Sequence, residues 1–275
     1  MADTLVIIVT YNGRRWIEKA VSSVRASERD ADIFVVDNAS TDGTPDWLEE
    51  QGVETDRMMA NHGFGAANNI GLRRALERGY RYVYLLNQDA WLLPDTLGRL
   101  AAFLDEHPEY GLVSPMQMKP DLASLDDQFA RHYPHFFMAA HWMLRRECIE
   151  KVGGFSPAFP HYGEDVNYLD RARFHGFKCG VVESARAVHD RDRRPRPKDY
   201  RMRLKLITAK TRISDPSRKA FLQVFWQPLV LLAMAAKNFS WTLVRSIPEL
   251  VRSYPELLSL RRVSRGVGQD RPTFL

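Results

Sequence analysis

Short apolar runs alternate with amphipathic stretches through the first hundred residues, and that alternation is the primary structural signal of the chain. Leu5-Val6-Ile7-Ile8-Val9 carries no charge and is rich in β-branched residues, as expected of a strand buried on both faces. From Arg14 to Val24 the apolar positions Trp16, Ile17, Ala20, Val21 and Val24 fall at helical spacing. Ile33-Phe34-Val35-Val36 reads as the next buried strand, and a helix from Pro45 to Gln51 follows, with Thr44 as its N-cap and proline in its first turn. The sequence repeats this alternation as a helix over 66–78, a strand over 82–86 and a helix over 94–106. Strands separated by helices predict right-handed crossovers and an α/β fold with a Rossmann-like, mostly parallel central sheet flanked by helices.

The pattern changes after residue 113. Ser114 to Phe137 is rich in Pro, Asp and His and reads as loops over a site. Phe136 to Leu144 is apolar again, Arg145 to Val152 reads as a short helix, and Gly153-Gly154 stops it. A helix is expected from Glu164-Asp165 to His175, ended by Gly176, and a late strand from Phe177 to Val182. Between Arg186 and Lys205 nine Lys or Arg face three Asp, the composition of a solvated loop. Ala220 to Ala236 is strongly apolar, but it contains Gln223, Gln227 and Pro228. It is also shorter than the roughly 20 residues a bilayer crossing needs, so it is expected not to span. From Lys237 to Arg265, Trp241, Leu243, Val244, Leu250, Val251, Leu257 and Leu260 alternate with five arginines. That composition suits helices at a membrane interface, and packing against the catalytic body or a homodimer partner is the competing reading for residues 220–265. The expected division is 1–205 for a catalytic domain and 206–275 for a C-terminal helical segment.

Composition narrows the class without choosing within it. The 275 residues are 45% hydrophobic and 27% charged, which fits a globular chain with one sizeable core plus an appendage. The opening MADTLVIIVTYN has an acidic residue near its front and only a short apolar run, so neither a secretory signal nor an anchor is read there and a cytoplasmic body is expected. Two distant cysteines, Cys148 and Cys179, argue against a thiolate zinc site or a disulfide framework. A net charge of +5 favours acidic partners: nucleoside diphosphates, anionic lipid or, on charge alone, nucleic acid.

Four strings carry candidate chemistry, and each sits where an apolar run gives way to a turn, the place where α/β sheets gather ligand groups. Asp37 follows the second strand and can accept hydrogen bonds from a base or ribose, with Thr10, Tyr11 and Asn12 closing the neighbouring strand; the bland reading of 37–43 is an Asx-type turn. Asn61-His62-Gly63-Phe64-Gly65-Ala66-Ala67-Asn68 puts small residues at a helix start, where backbone amides can approach a phosphate. Asn87-Gln88-Asp89 brings a carboxylate to the end of a strand, where it can ligate a divalent cation bridged to phosphate oxygens, or simply cap a turn. Glu164-Asp165 pairs two carboxylates at a helix start, placed for general base work or for capping. His189 follows the late strand and can add an imidazole to the same cation, and His141 and Trp142 are candidates for a donor or acceptor wall, with core packing the equal alternative.

Taken together, these strings resemble the inverting family 2 glycosyltransferases of GT-A fold, near the rhamnosyltransferase-like branch of bacterial surface-polysaccharide synthesis. The resemblance covers residues 4 to about 190 and rests on Thr10-Tyr11-Asn12, Val36 through Gly43, Asn61 through Leu72, Leu85 through Asp89, and Val152 through Asp165. It implies a nucleotide-sugar donor such as dTDP-rhamnose or a UDP-sugar, a glycan or lipid-linked acceptor, Mg or Mn as cofactor, and no nucleic-acid partner. With the interfacial reading of residues 220–265, a cytoplasmic body is expected to sit at the inner face of the plasma membrane. By that resemblance Thr10, Tyr11, Asn12, Asp37, Asn38, Asn61, Gly65, Asn68, Asn87 and Gln88 form the nucleotide socket. Asp89 and His189 hold the metal, and Asp165, beside Glu164, is the catalytic base, with Arg191 or Arg194 near the leaving diphosphate. Asn87 departs from the acidic residue that opens the family's metal motif, which leaves more of the coordination to Asp89 and His189. A sugar-1-phosphate nucleotidyltransferase is the second reading, although no early Arg- and Lys-bearing glycine loop is present for a triphosphate. A non-catalytic nucleotide-sugar-binding homologue is the third.

Overall fold

A computed structural model describes residues 2–191, 198–266 and 272–275. In chain order the N-terminal part runs β1 (Thr4–Thr10), α1 (Arg14–Arg25), β2 (Asp32–Asp37), α2 (Thr44–Glu50), β3 (Glu54–Arg57), α3 (Phe64–Arg78), β4 (Tyr82–Asn87), β5 (Ala90–Leu92) and α4 (Thr96–Glu106). It continues through β6 (Tyr110–Met118), α5 (Asp127–His132), β7 (His141–Arg145), α6 (Arg146–Val152), α7 (Glu164–Phe174) and β8 (Lys178–His189). The rest is helical: α8 (Lys198–Ser214), α9 (Ala220–Asn238), α10 (Trp241–Arg252) and α11 (Tyr254–Arg265).

The eight strands form one sheet in the order β3-β2-β1-β4-β7-β6-β8-β5. Pairings β1–β2, β1–β4, β2–β3 and β6–β8 are parallel, while β4–β7, β6–β7 and β5–β8 are antiparallel. Period-two alternation explains why the central strands read as continuous apolar runs: Leu5, Ile7, Phe34, Val36, Val83 and Leu85 face one core with α3, α6 and α7. Val6, Ile8, Val35, Tyr84 and Leu86 face the other, under α1, α2 and α4.

β3, β6, the three-residue β5 and the second half of β8 escape the sequence reading for identifiable reasons. β3 is a polar edge strand, Glu-Thr-Asp-Arg, held partly by ion pairs from Arg74 and Arg78 to Glu54. β6 contains Pro115, and the ladder to β8 shifts register at that point, where Pro115 pairs with Val182 and Met116 with Arg186. Proline is tolerated there because a bulge relieves the missing donor. The same irregularity hides the second half of β8, which runs seven residues beyond the expected end at Val182. Thr44 is the first helical residue of α2, not its cap, and its hydroxyl instead accepts from Gly13 N at 3.1 Å and donates to Asp42.

The expected boundary at 205/206 falls inside the continuous helix α8. Leu206, Ala209 and Ile213 on α8 join Leu231 and Ala235 of α9, Leu243 and Leu250 of α10 and Leu257 of α11 in a third, separate core. α9 extends two residues past the expected end to 19 residues, which makes it long and apolar enough to cross a membrane by length and composition.

Candidate functional site

The C-terminal ends of β1, β2 and β4 lie side by side, so the three strings that follow them are brought together by the strand order itself. Gln88 ties two of them: its Oε1 accepts from Thr10 Oγ1 and Tyr11 N, both at 2.7 Å. Asn12, at φ +48°, accepts from Thr41 N at 2.8 Å through Oδ1, and its own N–H donates to Ser40 Oγ. Asp37 is 2% exposed; its Oδ2 accepts from Ser40 N at 3.1 Å while its Oδ1 is buried with no partner. A buried acceptor left open at the end of a parallel strand is suited to a ring N–H or a ribose hydroxyl.

Several residues of the expected socket are occupied in holding its walls. Asn38 accepts from His62 N at 3.0 Å and donates to Gly63 O at 3.2 Å, which fastens the turn before α3 to β2. Asn61 accepts from Gly63 N within that turn, and the buried Asn68 donates to Phe64 O. Gly65 was expected to open backbone to a phosphate; instead a Cβ there would meet Phe155 Cβ at 2.9 Å, so its smallness lets α3 pack on the 155 turn.

His141 and Trp142 are corrected outright as wall residues, because both are fully buried in β7. Trp142 packs among Phe137, Phe155 and Tyr168. His141 Nε2 donates to Val188 O at 3.0 Å, so Nδ1 accepts from Tyr84 Oη at 2.8 Å, and burial holds this imidazole down to about 3, hence neutral. The wall is formed by the residues just before them, Met138, Ala139 and Ala140.

The antiparallel pairing of β5 with β8 sets Ala90 opposite His189 and so delivers an imidazole to Asp89 across a hundred residues of sequence. His189 Nε2 lies 3.4 Å from Asp89 Oδ1, and His189 Nδ1 and Asn87 Oδ1 are buried without partners. Burial alone would raise the Asp89 carboxyl, but the hydrogen bond and charge of His189, with Arg191 beyond, bring it below its usual value. Among the described residues no three His, Cys, Asp or Glu side chains group as metal ligands. The Asp89–His189 pair with open polar atoms beside it fits a cation that takes its other ligands from substrate phosphates and water, as Mg-type sites do.

A cleft of about 320 Å³ opens beside this pair, lined by Asn87, His189, Glu164, Asp165, Arg191 and Gln128 among others. Glu164 and Asp165 begin α7 behind two successive left-handed residues, Tyr162 at φ +67° and Gly163 at φ +89°. A side chain at Gly163 would strike Ile207 at 2.6 Å, so this turn needs glycine both for its backbone and for the approach of α8. Asp165 Oδ1 accepts from Val166 N at 2.7 Å, while Glu164 Oε2 is buried and unpartnered. Burial pushes Glu164 up to about 8, with the charge of Asp165 adding to the rise, and burial pushes Asp165 up to about 6. At neutral pH the pair therefore carries its single negative charge mainly on Asp165.

Arg191, Gln128 and Asp126 are functional candidates of unequal legibility. Arg191 donates through Nε to Asp126 at 3.1 Å and through Nη1 to Gln128 at 2.7 Å, and Asp126 also caps α5 by accepting from Gln128 N and Phe129 N. The cap motif was present in the sequence, but the stretch read as loop. Arg194 lies outside the described residues.

A model of glycosyl transferase family 2 matches residues 5–142, half of the chain, from β1 into β7. The chain belongs to glycosyl transferase family 2. Among similar curated proteins, the polyprenol monophosphomannose synthase of Mycolicibacterium smegmatis is 35% identical over 200 residues, covering 66% of this chain and 75% of that one. The N-acetylglucosaminyl-diphospho-decaprenol L-rhamnosyltransferase of Mycobacterium tuberculosis is 26% identical over 238 residues, covering 69% of this chain and 76% of its relative. An undecaprenyl-phosphate mannosyltransferase of Micrococcus luteus is 35% identical over 101 residues, and the match spans 42% of that protein. Among solved structures, the mannosyltransferase PcManGT from Pyrobaculum calidifontis, in complex with GDP-Man and Mn2+, superposes with a TM-score of 0.62 at 20% identity, over 95% of this chain and 84% of that one. S. aureus TarS 1-349 in complex with UDP-GlcNAc gives 0.63 at 15% identity, over 95% and 86%. At these identities the structural likeness establishes the fold, the GT-A fold of this family 2 glycosyltransferase.

Proposed function

We propose that this glycosyltransferase moves a sugar from a nucleoside diphosphate, dTDP-rhamnose or a UDP-sugar being the leading donors, to a hydroxyl of a lipid-linked or glycan acceptor, with inversion at the anomeric carbon. The observation that carries the reading is that the Glu164–Asp165 pair and the Asn87 and His189 side chains line one cleft. Asp37, with its open Oδ1, takes the base or ribose at the end of β2. Asp165, ionised at neutral pH while Glu164 keeps its proton, accepts the proton of the acceptor hydroxyl as that oxygen attacks the anomeric carbon from the face opposite the leaving group. The C–O bond to the diphosphate breaks as the new one forms, and the nucleoside diphosphate departs with the electron pair. Arg191, held in orientation by Asp126 and Gln128, stabilises the charge that develops there. Asp89 and His189 would hold Mg or Mn, which supplies charge neutralisation at the diphosphate when bound. The presence of Mn2+ with GDP-Man in the P. calidifontis mannosyltransferase complex supports such a cofactor in this fold.

We further propose that the catalytic body is residues 1–197 and that the helices from α8 onward set it against the inner face of the plasma membrane. Phe221, Phe225, Trp226, Leu229 and Leu232 form an exposed apolar face on α9, with Phe239 and Trp241 exposed beyond it. Residues 198–266 carry 14 Lys or Arg against four Asp or Glu, whereas the whole chain has a net charge of only +5. Exposed aromatic and aliphatic side chains beside a strongly basic surface support shallow interfacial binding. A homodimer seam on the same face is the second reading. Sedimentation with anionic vesicles decides between them: co-sedimentation of a monomer supports the membrane, and a stable dimer that ignores vesicles supports the seam.

Donor binding is tested by thermal shift with dTDP, UDP, GDP and CMP, each with and without Mn2+. A metal-dependent rise with one nucleotide, lost in Asp37→Ala, is expected. Absence of any shift with all four would remove the donor assignment.

A further inference from the structure

A second cleft, about 440 Å³, meets the first at Asp165, and the two share Gln128, Met138 and Tyr162 as common walls. Its far side is made by the end of α5 and by one face of α8. Those walls combine two chemistries. Arg131, His132 and Arg201 are exposed cations or potential cations on its rim, and Phe136, Leu204 and Ile207 supply an apolar lining. Asp165 is the only carboxylate among its lining residues, and the structure gives neither Arg131 nor Arg201 an ion pair among the described residues. Other arginines close to the site are already engaged: Arg191 by Asp126 and Gln128, and Arg171 by Asn167, Val152 O and Gly154 O.

A cleft that ends on the proposed base must receive the hydroxyl-bearing partner, whereas the donor needs the Asp37, Asn87 and Asp89 end. Two arginines lining one cleft, with no acidic partner among the described residues, are complementary to a polyanion, and arginine suits phosphate oxygens in particular. A neutral glycan would take hydrogen bonds from them but leave their charge uncompensated. The aliphatic wall beside them would gain nothing from a free polar phosphate. The opposite face of α8 packs, through Leu206, Ala209 and Ile213, onto α9 and α10, so the cleft wall and the exposed apolar face of α9 belong to one helical layer.

We propose that this second cleft is a recognition site for the phosphate-bearing, isoprenoid-like end of a lipid-linked acceptor, with Arg131 and Arg201, assisted by His132, on the phosphates and Phe136, Leu204 and Ile207 on the first part of the chain. The proposal rests on the glycosyltransferase reading, which supplies the need for an acceptor, and it names the acceptor class that reading leaves open. Arg131 and Arg201 are positioning residues in it and take no part in bond making.

Farnesyl diphosphate below its micellar concentration is a sufficient probe, since it has both features and needs no knowledge of the sugar. Its affinity for the wild-type protein is measured by calorimetry beside that of farnesol and inorganic pyrophosphate, and again in the double variant Arg131→Ala/Arg201→Ala and in Asp37→Ala. Farnesyl diphosphate is expected to bind at least tenfold more tightly than either control, to lose at least tenfold in the arginine double variant, and to be unaffected by Asp37→Ala. Both arginines are exposed, so the double variant should melt within about 1 °C of wild type. Loss of binding in Asp37→Ala but not in the arginine variant would mean that the probe sits in the nucleotide socket, and would overturn the proposal. Pyrophosphate binding as well as farnesyl diphosphate would overturn the lipid assignment. Failure of the glycosyltransferase reading is separately visible, as no metal-dependent nucleotide shift in the wild type.

Discussion

Replacing Asp165 with asparagine should nearly abolish transfer and at the same time make the protein harder to unfold at alkaline pH. A catalytic base at this position contributes on the order of 10²- to 10⁴-fold to turnover, so release of nucleoside diphosphate should fall by that factor while nucleotide binding at Asp37 is kept. The stability effect comes from burial. Asp165 titrates near 3.8 in an unfolded chain and is pushed up to about 6 in the fold. Its folded form therefore prefers the proton. No penalty exists below pH 3.8, and the penalty grows as pH rises toward about 6 and is complete above that. Roughly two pH units at about 1.4 kcal/mol each give about 3 kcal/mol. Asparagine keeps the shape and the acceptor for Val166 N without the charge. Loss of the Asp165 charge also lowers the cost of ionising the buried Glu164, which adds to the gain at alkaline pH. Urea unfolding at pH 5 and pH 8.5 measures it, and the gain at pH 8.5 should exceed that at pH 5. Near-full turnover in the variant would remove Asp165 as the base, and an equal change of stability at both pH values would refute the burial argument.

The rate itself should carry the same signature: wild-type kcat/KM should rise with pH through about 6, well above the ordinary aspartate range, and a profile flat from pH 5 to pH 8 would count against an ionised Asp165. His189→Ala should weaken any Mn2+-dependent nucleotide shift and also lower the metal-free melting temperature, since the buried imidazole is what favours the Asp89 carboxylate; a full metal effect, read against the variant's own metal-free value, would free His189 from that role. Trp142→Ala should cost about 3–5 kcal/mol in unfolding free energy through cavity formation, with KM for donor unchanged in the folded fraction, because the indole is fully buried; a selective rise in KM at undiminished stability would restore it to the wall. Phe225→Ser/Trp226→Ser should reduce binding to phosphatidylglycerol vesicles by tenfold or more and leave soluble nucleotide binding intact, and undiminished sedimentation would take α9 off the membrane.

What the sequence made legible follows from which interactions are local. β1, β2 and β4 announced themselves because a strand buried on both faces must be apolar throughout, and α1 because one face is buried and the other is not. Asp37, Asp89 and Asp165 were readable as strand-end or helix-start carboxylates for the same reason, since their positions depend on the element they follow. The rest depended on pairing between distant segments. Nothing near residue 54 signals a strand, because β3 is held by hydrogen bonds to β2 and by arginines from α3. Trp142 and His141 looked like site residues because an imidazole and an indole at the end of an apolar run usually face a ligand. Their true surroundings, Phe155, Tyr168, Tyr84 and the Val188 carbonyl, come from four other segments.

The placement of His189 joins these two cases. His189 is readable only as an imidazole at the end of a late strand, and no spacing rule links residues 89 and 189. The physical cause is the three-residue strand β5, too short to be seen in the sequence, which reverses direction immediately after Asp89 and pairs antiparallel with the end of β8. The β-bulge at Pro115 and the extra residues between Val182 and Arg186 bend β8 far enough to reach that edge. The Asp89–His189 pair, the proposed metal site, thus hangs on two features that read as noise along the chain, a proline inside a strand and a charged stretch where a strand was expected to end. Deleting Ser184, one of the three β8 residues between Val182 and Arg186 that have no partner on β6, should shift the register of Arg186 to His189 by one residue and turn His189 away from Asp89. The test is the His189-dependent part of the Mn2+ effect: if the deletion variant folds and still loses Mn2+ response on His189→Ala, the bulge does not set the geometry of the pair.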